Sequence, residues 1–284
     1  MASTTTTGPL TALTPSGRLG PGPRRAMSRP ERLLAVTAHH ATVYRRTWRG
    51  SIISRFLMPL FFLLSMGLGL GALVDDRAGG VGGVSYLRFV VPGILAMQAM
   101  MTAFGESTYA VMGYIKWNQM YAAMLATPLS VVEVLGGHLT TVAFHLLTAS
   151  AIFTLVAAPF GAFGSWWVLL AVPVAVVTGL AFAVPTFALA ARIDNDNGFS
   201  ILYRFVMTPL MLFSGTFFPI EQLPVWMQPA AWVTPLWHGV VLCRAASEGV
   251  WPGPLGVVHV AVLAVYVGVG WVLARRTFTR RLAS

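Results

Sequence analysis

From about residue 56 onward the chain alternates long apolar runs with short polar ones. Apolar runs lie at about 56–74, 87–112, 131–157, 167–190, 200–218 and 255–274. An α-helix needs roughly 20 apolar residues to cross a hydrocarbon core about 30 Å thick. The pattern therefore predicts an all-α membrane protein with six transmembrane helices. Before the first run, Leu33, Val36, His40, Tyr44, Trp48 and Ile52 recur at helical spacing, and Arg45, Arg46 and Arg49 crowd beside that stripe. This predicts an N-terminal amphipathic helix lying in the cytoplasmic membrane interface; a soluble helix packed on another chain is the alternative. Residues 1–30 are rich in Ser, Thr, Pro and Gly, without the continuous apolar core of a secretory signal. They read as a disordered cytoplasmic tail, which leaves 31–284 as the transmembrane domain.

Local signals refine the spans. Gly67 and Gly71 form a small-residue pair that permits close helix approach in the first. Asp75 to Gly83 form a glycine-rich polar loop. Ser130 and Glu133 stand at capping-box spacing and mark the start of the third span. Trp166 and Trp167 mark an interface before the fourth, and Pro173 and Pro185 are positioned to kink it. Residues 113–130 are too polar to cross and read as a cytoplasmic loop holding a short helix.

One stretch breaks the alternation. Phe213 to Arg244 carries Pro219, Pro224, Pro229 and Pro235 together with Trp226, Trp232 and Trp237. Each proline lacks an N–H and biases its predecessor away from helix, so no straight span passes through. Yet the stretch is too apolar for a solvated loop. Irregular backbone at membrane depth must be covered by protein or line a cavity, which favours a translocation machine over an anchor.

Composition agrees. The 284 residues are 56 % hydrophobic and 10 % charged, against about 25 % charged in soluble domains. The net charge of +10 is spread beside the apolar runs, not gathered into a nucleic-acid-binding patch. With both termini inside, 16 of the 19 basic residues fall on the cytoplasmic side; only Arg77, Arg88 and Arg244 lie outside or near it. The positive-inside rule thus sets the orientation and puts the Pro/Trp stretch on the outer side. The expected location is a bacterial plasma membrane, crossed several times.

Candidate chemistry is sparse. Glu106 lies inside the second run, in AFGESTYAV. A membrane carboxylate is costly and must meet protein, water or a partner; it is either a cavity or gating residue of a pathway, or a hydrogen-bonded carboxylate near the interface. His138 and His145 share a helix face, where packing or a helix–helix hydrogen bond outweighs metal binding because no ligand-spaced carboxylate or cysteine accompanies them. The D-x-D in Ile193–Asn197 lacks the rest of a calcium loop and reads as a tight turn. The lone Cys243 rules out an intrachain disulfide. No catalytic triad or metalloprotease motif occurs, so the chain is not expected to be an enzyme. A P-loop needs a lysine on the nucleotide phosphates, and the only lysine, Lys116, sits in YIKWN. Were ATP to drive transport, the ATPase would be a separate subunit docking on 113–130 and 31–55.

The stretch also resembles the signature of type-2 ABC exporter permeases (ABC-2 permeases). Ser214, Gly215, Phe218 and Pro219 match its S-G-x-x-F-P. Leu223, Pro224, Trp226, Met227 and Gln228 match the next block, and Pro235, Leu236, His238 and Arg244 the last. Ala126 to Ser130 is similar to the family's intracellular loop. The subgroup most similar contains nodulation lipo-oligosaccharide exporters and daunorubicin-resistance-type drug exporters. His138 stands where many relatives carry Lys or Arg. The resemblance implies two permeases, as a homodimer in membrane lipid, with two ATP-binding subunits; ATP and Mg belong to those subunits and no cofactor to this chain. It implies a coupling helix at 113–130, with Lys116, Met120, Tyr121, Met124, Leu125 and Pro128 as its contacts. It also implies an outer gate of re-entrant helices carrying Ser214, Gly215, Phe218, Pro219, Glu221, Pro224, Trp226, Pro235, His238 and Arg244. Cargo would be a drug, a lipid or a glycolipid-like molecule. An ATP-independent secondary transporter is the alternative; it would want paired ionisable residues near the midplane and broken helices in both halves.

Overall fold

A computed structural model describes residues 60–282 apart from Asp194 and Asp196, together with Ser28, Glu31, Leu34, Val36–Ala38, Thr42 and Leu57. The described residues are helical almost throughout, and the only strand-like pairing among them is a bridge between Val81 and Val84. In chain order α1 covers 64–78, α2 Tyr86–Ser107, α3 109–117, α4 Met120–Leu125 and α5 Val131–Ala157. Then follow α6 Ala171–Ala190, α7 197–213, α8 Gln228–Val233, α9 Pro235–Glu248 and α10 Pro254–Leu282.

Four helical stretches are long and apolar enough to cross a membrane: Tyr86–Trp117, Val131–Phe160, Trp166–Ala190 and Pro254–Leu282. They coincide with the second, third, fourth and sixth expected runs. The start of the first run lies outside the described residues. The fifth run is shorter than its apolarity implies: α7 stops at Phe213, and its middle, Tyr203–Met207, is wound in wider π-type turns. Most of the expected N-terminal amphipathic stripe and the D-x-D aspartates lie outside the described residues.

The cap expected at the third span is present. The Ser130 hydroxyl accepts from the Glu133 N–H at 3.3 Å, and the Glu133 carboxylate accepts from the Ser130 N–H at 2.8 Å. Two boundaries differ from expectation. The second span does not end at 112: after a kink at Thr108 (φ −103°, ψ −91°) the helix continues through α3 to Trp117. The sixth continues past 274 to Leu282, because arginines at a helix C-terminus suit its dipole and do not terminate it. The loop before α2 also does more than turn. The Asp75 carboxylate accepts from the Tyr86 N–H at 2.8 Å and so caps α2 from the end of α1.

The helix α6 is the hub: it touches α2, α5, α9 and α10. Its sequence shows no polar face, as expected of a helix surrounded by others. Against it lie Leu95, Met100, Val142, Leu146, Leu236 and Ala274 in one continuous core. The partner α10 buries Gly256, His259, Leu263, Gly270, Ala274 and Phe278, a single stripe at three- to four-residue spacing. Its other face exposes Leu255, Val257, Val265, Val269 and Leu273. So large an exposed apolar face is stable only in lipid. Small residues set the closest approaches: Gly270 lies against the Pro185 ring, and Gly239 of α9 lies directly on Thr178 of α6.

Gly239→Val should overpack the α9–α6 crossing and cost about 1–3 kcal/mol. The expected outcome is a lower thermal unfolding midpoint in detergent, with Gly239→Ala intermediate; an unchanged midpoint for the valine variant would mean that the two helices can separate freely.

Candidate functional site

Three polar assemblies stand out from the apolar bundle, one at each end and one between.

The first surrounds α4. The chain reverses between α3 and α4 at Gln119, whose φ of 46° makes it the one non-glycine residue with positive φ among those described. This turn drives Tyr121 into the bundle, where it is 1 % exposed. Its hydroxyl meets Nδ1 of His138 on α5 at 2.5 Å. The Tyr121 ring packs edge-on against Tyr114 of α3 and Phe278 of α10, with centroids 5.6 Å away in both cases. His138 in turn packs on Tyr114 and on Phe187 of α6. One tyrosine thus ties the short helix to α3, α5 and α10, and through His138 to α6. Burial pushes its phenol well above the usual tyrosine range. It therefore stays neutral and donates to Nδ1 when the imidazole carries its proton on Nε2. Of the other expected coupling residues, Lys116, Met120, Met124 and Leu125 are half-buried and Pro128 is exposed. Trp117, Ala122 and Ala123 are exposed beside them, so α4 presents an apolar outer face beside its buried tyrosine.

The second assembly is the stretch rich in proline and tryptophan, Phe213 to Arg244. Its prolines cut it into short pieces: a turn at Ile220–Gln222, then α8, then α9. Ile220, Leu223 and Ala231 form a small core of their own with Phe218, Met227 and Trp237. Ser214, Gly215 and Thr216 make a buried chain reversal, with Gly215 at φ 79°. The carbonyls it frees are collected by Arg244 of α9. Its Nη2 donates to Gly215 O at 2.6 Å and Thr216 O at 3.0 Å, its Nε donates to Phe89 O at 2.9 Å, and its guanidinium lies 3.7 Å from the Phe89 ring centroid. Gly93 leaves room for this contact, because a Cβ there would lie 3.0 Å from Thr216 O and 3.3 Å from Nη2. Lower in the stretch, His238 Nε2 lies 2.8 Å from Trp232 O, and the Nδ1 atoms of His238 and His259 are 2.7 Å apart. Trp237 packs edge-on against both imidazoles.

The expected gate residues divide accordingly. Ser214, Gly215, Pro235, His238 and Arg244 are brought together in the buried frame, with Phe218 and Pro219 half-buried beside it. Glu221, Pro224 and Trp226 lie on the exposed side, Trp226 at 78 % exposure. Between this frame and α7 opens an apolar groove of about 660 Å³, lined among others by Phe182, Phe205, Leu210, Trp226 and Tyr266.

The third assembly lies between: Glu106 at the end of α2 and His145 in α5 meet at 2.8 Å.

Sequence reasoning left out His259, Phe278 and Phe89. His259 could have been found, as the one polar side chain in the apolar VVHVAV run. Phe278, in a basic tail, and Phe89, in an apolar span, carry no such signal. Among the described residues no group of three potential ligands could hold a metal ion.

Residues 31–246 match the model of a family described as ABC-2 type transporter. Nodulation protein J of Rhizobium leguminosarum bv. trifolii is 33 % identical over 252 residues, 88 % of this chain and 93 % of the relative. Nodulation protein J of Rhizobium meliloti is 31 % identical, again over 88 % of this chain and 93 % of the relative. The inner membrane transport permease YadH of Escherichia coli K12 is 24 % identical, over 86 % of this chain and 94 % of the relative.

Arg244→Lys keeps the charge but cannot reach three carbonyls with a planar fork. It should cost about 2 kcal/mol, as loss of charge-assisted hydrogen bonds does, read as a lower unfolding midpoint together with new thiol-reagent access at a Thr216→Cys reporter. An unaltered midpoint and a closed reporter would remove the clasp role.

Proposed function

Because this chain belongs to the ABC-2 type transporter family, we propose that it is the permease subunit of an ATP-driven exporter, moving a drug, lipid or glycolipid-like cargo outward across a bacterial plasma membrane. The observation that carries the reading is α4, a short exposed helix whose one buried side chain is locked against three other helices and, through His138, against α6. A helix so mounted is a handle for a soluble partner. The chain has no P-loop lysine, since Lys116 stands alone in YIKWN; ATP and Mg therefore belong to a separate ATP-binding subunit, the partner with which this family normally works. In this reading 31–284 is one domain of six spans with both termini inside, preceded by an amphipathic interfacial helix, and two copies enclose the pathway.

The mechanism follows from stiffness. Closure of the ATPase pair pushes α4 through Met120, Met124 and Leu125, with Lys116 and Pro128 at its margins. Tyr121 cannot yield within its aromatic cage, so the load passes to α5, α6 and α10. Helices α6 and α10 also carry the outer frame, through Gly239 on Thr178 and through His259 on His238. Their displacement strains the re-entrant segment between Pro219 and Arg244 and opens the exit.

The alternative of an ATP-independent transporter gains one observation, the Glu106–His145 pair within the bundle. Among the described residues it gains no second proline-broken helix pair in the other half. Purification of the tagged chain followed by mass spectrometry separates the two: a stoichiometric P-loop ATPase is expected, and its reproducible absence from a preparation that still transports would favour the alternative. Within the complex, His138→Ala should leave the ATPase bound and hydrolysing while export falls about tenfold or more. Export in step with hydrolysis in that variant would take the joint out of the coupling path.

A further inference from the structure

Glu106 sits in the last turn of α2, immediately before the kink at Thr108. His145 lies near the middle of α5, about 21 Å along a helix that rises 1.5 Å per residue from Val131. The pair is therefore deep in the bundle, where a carboxylate is costly. Nδ1 of His145 faces only one oxygen of that carboxylate, at 2.8 Å. The imidazole side chain is 14 % exposed, whereas the carboxylate side chain is 30 % exposed and so reaches the bundle surface. Aromatic residues stand close to it in the chain. Gly105, the neighbouring residue, has nothing within 4 Å of where a Cβ would stand. Tyr109, one turn on, is 45 % exposed, and Phe144, packed beside the His145 ring, is 48 % exposed. On α7 the ring of Tyr203, also exposed, packs on Phe104 of α2. Arg204 is exposed beside it, about 10 Å along α7 from Asn197, within reach of the cytoplasmic surface for a snorkelling arginine.

A carboxyl group at depth, with the exposed Tyr109 three residues on and the exposed Phe144 beside its histidine, has the chemistry that recognises an organic cation: the charge meets the carboxyl group and the apolar substituents meet the rings. A helix clasp alone needs neither the exposure nor the second oxygen. We propose that Glu106, oriented by His145, is a binding site for the cationic head of a lipophilic substrate, with Tyr109 and Phe144 as its aromatic walls. This rests on the transport reading above and narrows its cargo to amphiphiles bearing a positive charge.

The test uses the full chain in lipid nanodiscs, with tetraphenylphosphonium as the cation and triphenylphosphine oxide as its neutral counterpart. Dicyclohexylcarbodiimide, an apolar carboxyl reagent, should form an adduct on the Glu106 peptide, read by mass spectrometry. Tetraphenylphosphonium should block the adduct and the neutral compound should not. Glu106→Gln should weaken binding of radiolabelled tetraphenylphosphonium about tenfold, equivalent to about 1.4 kcal/mol, with Glu106→Asp retaining part of it. No adduct in the unmodified chain, or equal protection by both compounds, overturns the site; so does a folded Glu106→Gln variant that binds the cation as before. A purely structural pair would show only a lower unfolding midpoint in that variant, with the cation's affinity unmoved. Because the co-purification of an ATPase is scored separately, loss of this site leaves the exporter reading standing, and loss of the ATPase leaves the cation site standing.

Discussion

The frame of this protein depends on one guanidinium. A chain that leaves its helix inside an apolar medium frees carbonyls that no water can reach, and each must find a donor or pay for its absence. Here the break after α7 frees Gly215 O and Thr216 O, and Arg244 takes both while reaching back to Phe89 O on α2. Arginine suits this because it offers five donors in a rigid plane and is more weakly hydrated than lysine. The Phe89 ring covers its face, so the cation is held chiefly by backbone dipoles and a ring quadrupole. Glu221, the nearest acidic residue of the stretch in sequence, stays at the exposed edge.

The opposite end is built on a different principle. Around Tyr121 the contacts are edge-on rings with one hydrogen bond, a dense assembly that resists compression. Both ends are mounted on the same two helices: Phe187 and Phe278 below, Thr178 and His259 above, belong to α6 and α10. A displacement entered at one end cannot be absorbed by a loop on the way, because α6 and α10 run unbroken between the assemblies.

Much of this was legible in the sequence, and the remainder was not for identifiable reasons. The four long apolar helices and the Ser130–Glu133 cap follow from local patterns, which read correctly wherever a signal and its partner are a few residues apart. The broken stretch was legible because four prolines crowd it, whereas the single Pro92 and Pro185 sit inside continuous helices and Pro185 does not break α6. The pairing of Glu106 with His145, 39 positions apart, and of Arg244 with Phe89, 155 apart, belongs to tertiary packing and leaves no trace in either segment. The kink at Thr108 is a further case: no proline or glycine stands at that residue, and the helix resumes for another nine residues to Trp117. The place of His138 finds its explanation only in space. A lysine or arginine there would bring a charge into the ring cluster, whereas an imidazole fits edge-on between Tyr114 and Phe187 and still meets the Tyr121 hydroxyl.

The two-histidine contact at the outer end adds a directional constraint. The Trp232 carbonyl can only accept, so His238 must carry a proton on Nε2 to bond it. In the neutral ring this leaves a lone pair on Nδ1, and the proton between the rings must then come from Nδ1 of His259. A first added proton fits on Nε2 of His259 without disturbing either bond. A second has only Nδ1 of His238 left, where it would set two N–H groups against each other 2.7 Å apart. The geometry thus tolerates one positive charge and opposes two. Because one ring belongs to α9 and the other to α10, the single shared proton is a bond between the proline-rich stretch and the bundle.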